Sequence, residues 1–205
     1  MIGIATDQPA PTESTLAPQP EMASTGEIAS FGASLAEAYW AAMCSQTGFR
    51  VPEPKKGVLM GGDVTKPEFA EIAQRLFDMD FKLYCSDSAV EEFLNSLGNV
   101  KAQRIYFPLK DKRKLREVFD EYDIQFVINL AKQRASTLLD QDYVARRNAV
   151  DFGLPLINNV ACAKLWCTAL EYKLAQPGGL SGWEEGKLLS EVKSWKEWVA
   201  EENQP

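Results

Sequence analysis

The chain is predicted to fold as an open α/β sheet in three layers, with five mostly parallel strands and helices on both faces. Two observations carry this prediction. From Gly57 onward, short apolar runs of strand length alternate with longer stretches of helical period, the pattern of a wound α/β fold. The run at Phe126, Val127, Ile128 and Leu130 is almost wholly apolar, as in strands covered on both faces, and the long crossover after it favours a parallel neighbour.

The elements follow in order. Residues 1–20 are rich in Pro, Thr, Ser and Ala and contain no basic residue. They are expected to be a disordered tail, and they lack the arginines of a mitochondrial presequence. Residues 21–32 suggest a strand or loop. Residues 34–45 read as a helix: Ser34 as cap, Glu37 three further on, an apolar stripe of Leu35, Ala38, Tyr39 and Ala42, and Gly48 beyond the end. Val51-Pro52-Glu53-Pro54 is extended, because each proline disfavours helix in its predecessor, and a boundary is placed at 51–56. Val58 to Met60 is the first strand, with Gly61-Gly62-Asp63 as the turn at its end. Pro67 to Met79 is a helix opened by its proline. Phe81 to Tyr84 is a strand, Cys85 to Ser88 a turn, and Ala89 to Leu97 a helix ended by Gly98. A third strand is placed at Arg104 to Phe107, and a helix at Asp111 to Tyr122 with Leu115, Val118, Phe119 and Tyr122 on one face. After the Ile124–Leu130 strand come a helix around Asp142–Phe152, a strand at Leu156-Ile157, and a helix from Val160 to Ala175. Trp183 to Glu202 is read as a last helix carrying Trp195, Trp198 and Val199, a docking element. The resulting divisions are 1–20, 21–56, a main domain at 57–176, and a linker and helix at 177–205.

The 205 residues carry a net charge of −7 and no histidine. The acidic balance argues against general nucleic-acid or anionic-membrane binding, and no apolar run is long enough to span a bilayer. Without histidine the usual proton shuttle and the commonest zinc ligand are missing, so no metal is expected. Cys44, Cys85, Cys162 and Cys167 show no C-x-x-C spacing and are read as reduced, mostly buried thiols of a cytoplasmic protein.

In open parallel sheets ligands bind beyond the carboxyl ends of the strands. The candidates for an anion-binding or effector-binding edge are therefore Asp63, Lys66, Ser86, Ser88, Lys110, Lys112 and Asn129. Gly61-Gly62-Asp63 with Lys66 is either a phosphate cradle or a tight turn. Ser86, Asp87 and Ser88 either donate to an anion or cap a helix. Lys110 to Arg116 is the one dense basic run, and cations in a first helical turn oppose the dipole. Asn129 either meets a ligand or ties two loops together. Arg146 and Arg147 are read as surface partners of Asp142 or Asp151.

Several long stretches resemble a known family. E-M-A-S-T-G-E-I-A-S-F-G and A-E-A-Y-W-A-A are similar to the end of the second ATP-grasp unit of carbamoyl-phosphate synthetase large subunits and the helix after it. G-V-L-M-G-G-D, K-D-K-R-K-L-R-E-V-F, Y-D-I-Q-F-V-I-N-L-A and D-Y-V-A-R-R-N-A-V-D-F-G-L-P-L-I-N resemble their C-terminal allosteric domain, nearest to the fungal arginine-specific kind. The resemblance implies a methylglyoxal-synthase-like fold at 57–176 and makes 21–56 a remnant of the ATP-grasp end with its connecting helix. It implies a part in arginine biosynthesis, in an enzyme making carbamoyl phosphate from bicarbonate, glutamine-derived ammonia and two ATP.

ATP and magnesium would be bound by the parent enzyme elsewhere, so this stretch is expected to hold no cofactor and no catalytic residue. The rest of the large subunit and its glutaminase subunit are the implied partners. A phosphate or small anionic effector and a second copy of the chain are open candidates. The parent enzyme leaves the mitochondrial matrix open as a location. In free-standing methylglyoxal synthases a His-Asp pair ends the first strand, with Lys three residues on. Here Gly62 replaces the histidine while Asp63 and Lys66 match. In effector-binding members two threonines follow the asparagine of the fourth strand, where this chain has Leu130 and Ala131, so no uridine nucleotide is expected to bind. A divergent lyase acting on a triose phosphate, with Asp63 as base, and a pure interaction module are the alternatives. Because the family's subunits are several times longer, the chain is read as a fragment, a truncated product or a duplicated domain.

Overall fold

The computed structural model describes residues 29–46, 49–108, 111–130 and 141–176. Within them, α1 (Leu35–Cys44) precedes β1 (Gly57–Gly62), α2 (Pro67–Asp78), β2 (Lys82–Cys85), α3 (Ser88–Ser96), β3 (Ala102–Arg104), α4 (Lys112–Glu121), β4 (Ile124–Leu130), α5 (Gln141–Asp151), β5 (Leu156–Ile157) and α6 (Val160–Leu174). The strands form one sheet in the order β3-β2-β1-β4-β5, and every pairing is parallel.

That order positions the site. From β1 the chain moves outward through β2 to β3, then returns past β1 to β4 and β5. Parallel crossovers keep one hand, so reversing direction places the later helices on the opposite face. The two faces bear this out. Val58, Met60, Phe126 and Ile128 point toward α2, α3 and α6, packing on Phe69, Ile72, Leu76, Val90, Leu94 and Trp166. Leu59, Val127 and Ile124 point the other way, onto Leu115 and Phe119 of α4 and Val144, Ala145 and Ala149 of α5. The sheet is therefore covered on both sides in three layers, and the winding reverses between β1 and β4. A crevice opens at the carboxyl ends of strands where winding reverses.

α1 belongs to the first of these cores. Trp40 stacks on Trp166 of α6 with ring centroids 5.5 Å apart and planes 5° from parallel, and Phe49 meets the same indole edge-on at 5.5 Å. Packing thus runs across the boundary placed at 51–56. Ser34 caps α1, its hydroxyl accepting from the Glu37 N–H, while the Glu37 carboxylate accepts from the Ala33 N–H at 2.7 Å, a reciprocal cap. α2 and α6 are joined by Arg75, whose guanidinium forks onto both carboxylate oxygens of Glu171 at 2.7 Å and donates to Thr168.

The structure corrects four details of the sequence reading. The buried stripe of α1 is Ala36, Trp40 and Met43, whereas Leu35 is 54% exposed. Gly61 and Gly62 lie inside β1, paired with Asn129 and Leu130, and the turn begins at Asp63. β3 lies at Ala102–Arg104, earlier than 104–107. Ile105 and Phe107 point in and Tyr106 out, which mimics a strand. The Ile105 N–H already donates to the carbonyl of Cys85, the last residue of β2, so no neighbour remains for residues 106–107. Finally, α1 ends at Cys44 with Ser45 as its C-cap; Gly48 lies outside the described residues, as do 1–28 and 177–205.

Candidate functional site

Met60 is level with Cys85 on one side and Ile128 on the other. One step further along, Gly61 pairs with Asn129, and Ser86 follows directly on the last residue of β2 at the same carboxyl edge. Asn129, the penultimate residue of β4, is only 1% exposed. Its Oδ1 accepts from Arg146 Nη1 at 2.6 Å, and its Nδ2 donates to Asp142 Oδ1 at 3.0 Å. The same carboxylate oxygen accepts from the Gly62 N–H at 3.2 Å. Asp142 and Arg146 are one turn apart in α5, so one helix face delivers both a carboxylate and a guanidinium to the amide. The side chains of the crevice thereby bond to each other and to the end of β1.

The two glycines make this closure feasible. A Cβ on Gly61 would lie 2.7 Å from Asn129 Nδ2 and 3.1 Å from Asp142 Oδ1. Gly62 has φ +101°, and a Cβ there would lie 1.9 Å from the Leu130 carbonyl oxygen. Position 62 has no room for a side chain while β1 and β4 keep their register.

Asp63 follows at the mouth. Its N–H donates to the Leu130 carbonyl at 2.8 Å, and its Oδ1 accepts from the N–H and the hydroxyl of Thr65 at 3.1 and 2.6 Å. Lys66 occupies the N-cap position of α2 without a side-chain capping bond. Ser86 is buried at the end of β2. The cap of α3 is Asp87, accepting from the Ala89 N–H at 2.8 Å, and Ser88 is the exposed first residue of that helix.

Lys112 is directed elsewhere. Its ammonium lies 2.7 Å from Asp151 in the last turn of α5, and nine helical positions, about 13 Å of axis, separate Asp151 from Asp142. Lys112 therefore does not join the Asn129 cluster. Asp151 also pairs with Arg147 at 3.3 Å. Hydrogen bonding from Lys112 leads the causes that hold its carboxyl below the usual aspartate value, with Arg147 adding to it. Lys110 lies outside the described residues. The structure thus brings Asp63, Lys66, Ser86, Ser88 and Asn129 to one edge and adds Asp142 and Arg146, which sequence reasoning treated as surface charges. Their spacing of four was the available signal.

Among the described residues no group of three or more His, Cys, Asp or Glu is placed to hold a metal ion, and no helix is long and apolar enough to cross a membrane. The cysteines are free thiols. Burial pushes Cys85 and Cys167 up to about 12, which leaves them poor nucleophiles.

No family model matches the chain. The carbamoyl phosphate synthase arginine-specific large chain of Cutaneotrichosporon cutaneum is 48% identical over 181 residues, covering 88% of this chain and 15% of that protein. The mitochondrial arginine-specific large chain of Schizosaccharomyces pombe is 48% identical over 179 residues, 87% of this chain and 15% of its own length. The human mitochondrial carbamoyl-phosphate synthase [ammonia] is 36% identical over 157 residues, 74% of this chain and 10% of that protein. The chain spans about 15% of the length of its fungal relatives. By this homology it belongs with the C-terminal part of the fungal arginine-specific carbamoyl phosphate synthase large chains.

Proposed function

We propose that the chain acts as the regulatory and subunit-contact end of an arginine-specific carbamoyl phosphate synthase, with a methylglyoxal-synthase-like fold, and makes no bonds itself. The observation that carries this is the homology, 48% identity confined to 15% of the relative's length. On this reading ATP and magnesium are held by the rest of the large chain, which together with the glutaminase subunit is the partner. The chain itself holds no cofactor. A cytoplasmic location is the first reading. The word mitochondrial in the names of the Schizosaccharomyces pombe and Neurospora crassa relatives supports the matrix as the alternative.

The crevice supports a binding role over a lyase role. Gly62 stands where the resemblance puts a catalytic histidine, and a side chain there would collide with the Leu130 carbonyl. Asp63, the base that a lyase would need, is engaged by Thr65. The crevice also argues against a uridine nucleotide at Asn129, because both ends of that amide are already bonded to Asp142 and Arg146. A phosphate or small anionic effector would instead meet Lys66, Ser86 and Ser88 at the mouth.

The test is complementation. An arginine-specific large chain lacking the matching C-terminal segment is mixed with this chain and the glutaminase subunit, and carbamoyl phosphate synthesis is followed. Association and a change in synthesis rate are expected. Failure to associate, or release of inorganic phosphate from dihydroxyacetone phosphate by this chain alone, overturns the reading.

A further inference from the structure

The sheet has an opening at its other end as well. Where β2 and β3 begin, a cavity of about 480 Å³ is lined by Lys55, Lys82 and Lys101, together with Asp80, Tyr84 and Gln103 among others. Because every strand runs parallel, this is the edge opposite to the one that carries Asn129. All three lysines are exposed. No ion pair joins any of them to a carboxylate among the described residues, and Asp80 is the one carboxylate in the lining. In a chain of net charge −7, three ammoniums against one carboxylate reverse the sign locally. Like charges around one opening repel each other, and an anion bound between them relieves that repulsion.

We propose that this corner is a second anion site and takes a small polyphosphate. The backbone holds the lysines there. The Lys55 N–H donates to the Asp80 carbonyl at 2.7 Å, and the Lys82 N–H donates to the Lys56 carbonyl at 2.9 Å, so the stretch before β1 is clamped to the corner between α2 and β2. Lys55 and Asp80 both take left-handed backbone, with φ +71° and +67°, where glycine is the usual residue. Lys101 directly precedes Ala102, which pairs with Leu83. The lysines are not needed to cap α2. Its last carbonyls are closed by backbone, the Asp80 N–H donating to Phe77 and the Phe81 N–H to Leu76. Deeper in, Tyr84 and Gln103 are paired in register, and neither side chain has a hydrogen bond among the described residues. The hydroxyl and the amide add donors for phosphate oxygens. Phosphate suits the lining better than a planar carboxylate, because the cations are lysine point charges and no arginine fork is among them. None of this rests on the proposed function.

The test titrates the full, isotope-labelled chain with inorganic tripolyphosphate in about 0.1 M salt and follows the amide signals by NMR. Saturating shifts are expected at Lys55, Lys82, Lys101 and Gln103, with orthophosphate binding about tenfold more weakly because it meets fewer of the ammoniums. Lys82→Gln combined with Lys101→Gln should weaken tripolyphosphate about tenfold, each exposed ion pair contributing a few-fold. Lys164→Gln, on the surface of α6 where its ammonium pairs with Glu71, should leave binding unchanged. Shifts confined to Asp63–Lys66 put the anion at the carboxyl edge and overturn the proposal. Non-saturating movement spread over the exposed lysines, which marks a general counter-ion effect, also overturns it, as does equal affinity for orthophosphate or undiminished binding by the double variant. Unchanged β4 amide signals verify that the double variant is folded, and if it is not, each single variant is read in its place.

Discussion

Arg146 Nη1 of α5 lies 2.6 Å from Oδ1 of Asn129, the penultimate residue of β4. A buried amide whose carbonyl faces a guanidinium and whose NH2 faces a carboxylate has its polarity matched at both ends. Asn129→Ala removes that match and leaves Asp142 and Arg146 facing a cavity. It should lower stability by about 2 kcal/mol in urea denaturation. Because the residues act together, the double variant with Arg146→Ala should cost about 1 kcal/mol less than the sum of the singles. Simple additivity would show that the guanidinium is indifferent to the amide.

Gly62→Ala should be more harmful than Gly61→Ala. The first places a Cβ against backbone at φ +101°, while the second meets the side-chain ends of Asn129 and Asp142. A loss of at least ~2 kcal/mol is expected at position 62, as backbone strain adds to the collision. Thermal unfolding of the two variants checks the ranking; equal losses would contradict it.

Asp151 links stability to acid. Its folded carboxyl is held below the usual 3.8, first by the hydrogen bond from Lys112 and further by Arg147. A depressed carboxyl contributes stability that is fully present above the unfolded value and is lost as pH falls through the folded value. The window therefore lies below about pH 4. Lys112→Met should move the Asp151 titration, followed by carboxyl NMR, back upward. No movement would show that the 2.7 Å contact has no hold on the carboxyl.

Among the thiols, Cys162 is exposed near the start of α6, Cys44 is partly covered, and Cys85 and Cys167 are buried. Burial also raises the Cys44 thiol. A thiol reagent at pH 8 should modify Cys162 first in the native protein and all four only after denaturation. Equal native reactivity of Cys85 or Cys167 would contradict the packing of the α6 side of the sheet.

The layering was readable because each apolar run and each helical stripe is local. Leu115 and Phe119 of α4 are buried as the spacing implied, with Val118 and Tyr122 packed partly beside them. What escaped depends on distant partners. A pair of glycines looks like a turn until β4 lies alongside, and pairing with Asn129 and Leu130 then draws them into the strand. The basic run at 110–116 announces its charge, but Asp151, thirty-nine residues on from Lys112, is visible only in the fold. Asp142 and Arg146 showed their shared face by spacing, though not that Asn129 stands opposite. α1 misled because an almost wholly apolar helix offers no contrast between its sides.

The Trp40–Trp166 stack has a consequence for where this unit can be cut. Cleaving the chain in the extended stretch before Gly57 would strip one indole from the other and bare Trp166, which is fully buried. The seam at which such a module can be transplanted, fused or split therefore lies upstream of Ser34. A gene boundary set at the first strand would deliver an adhesive, aggregation-prone product.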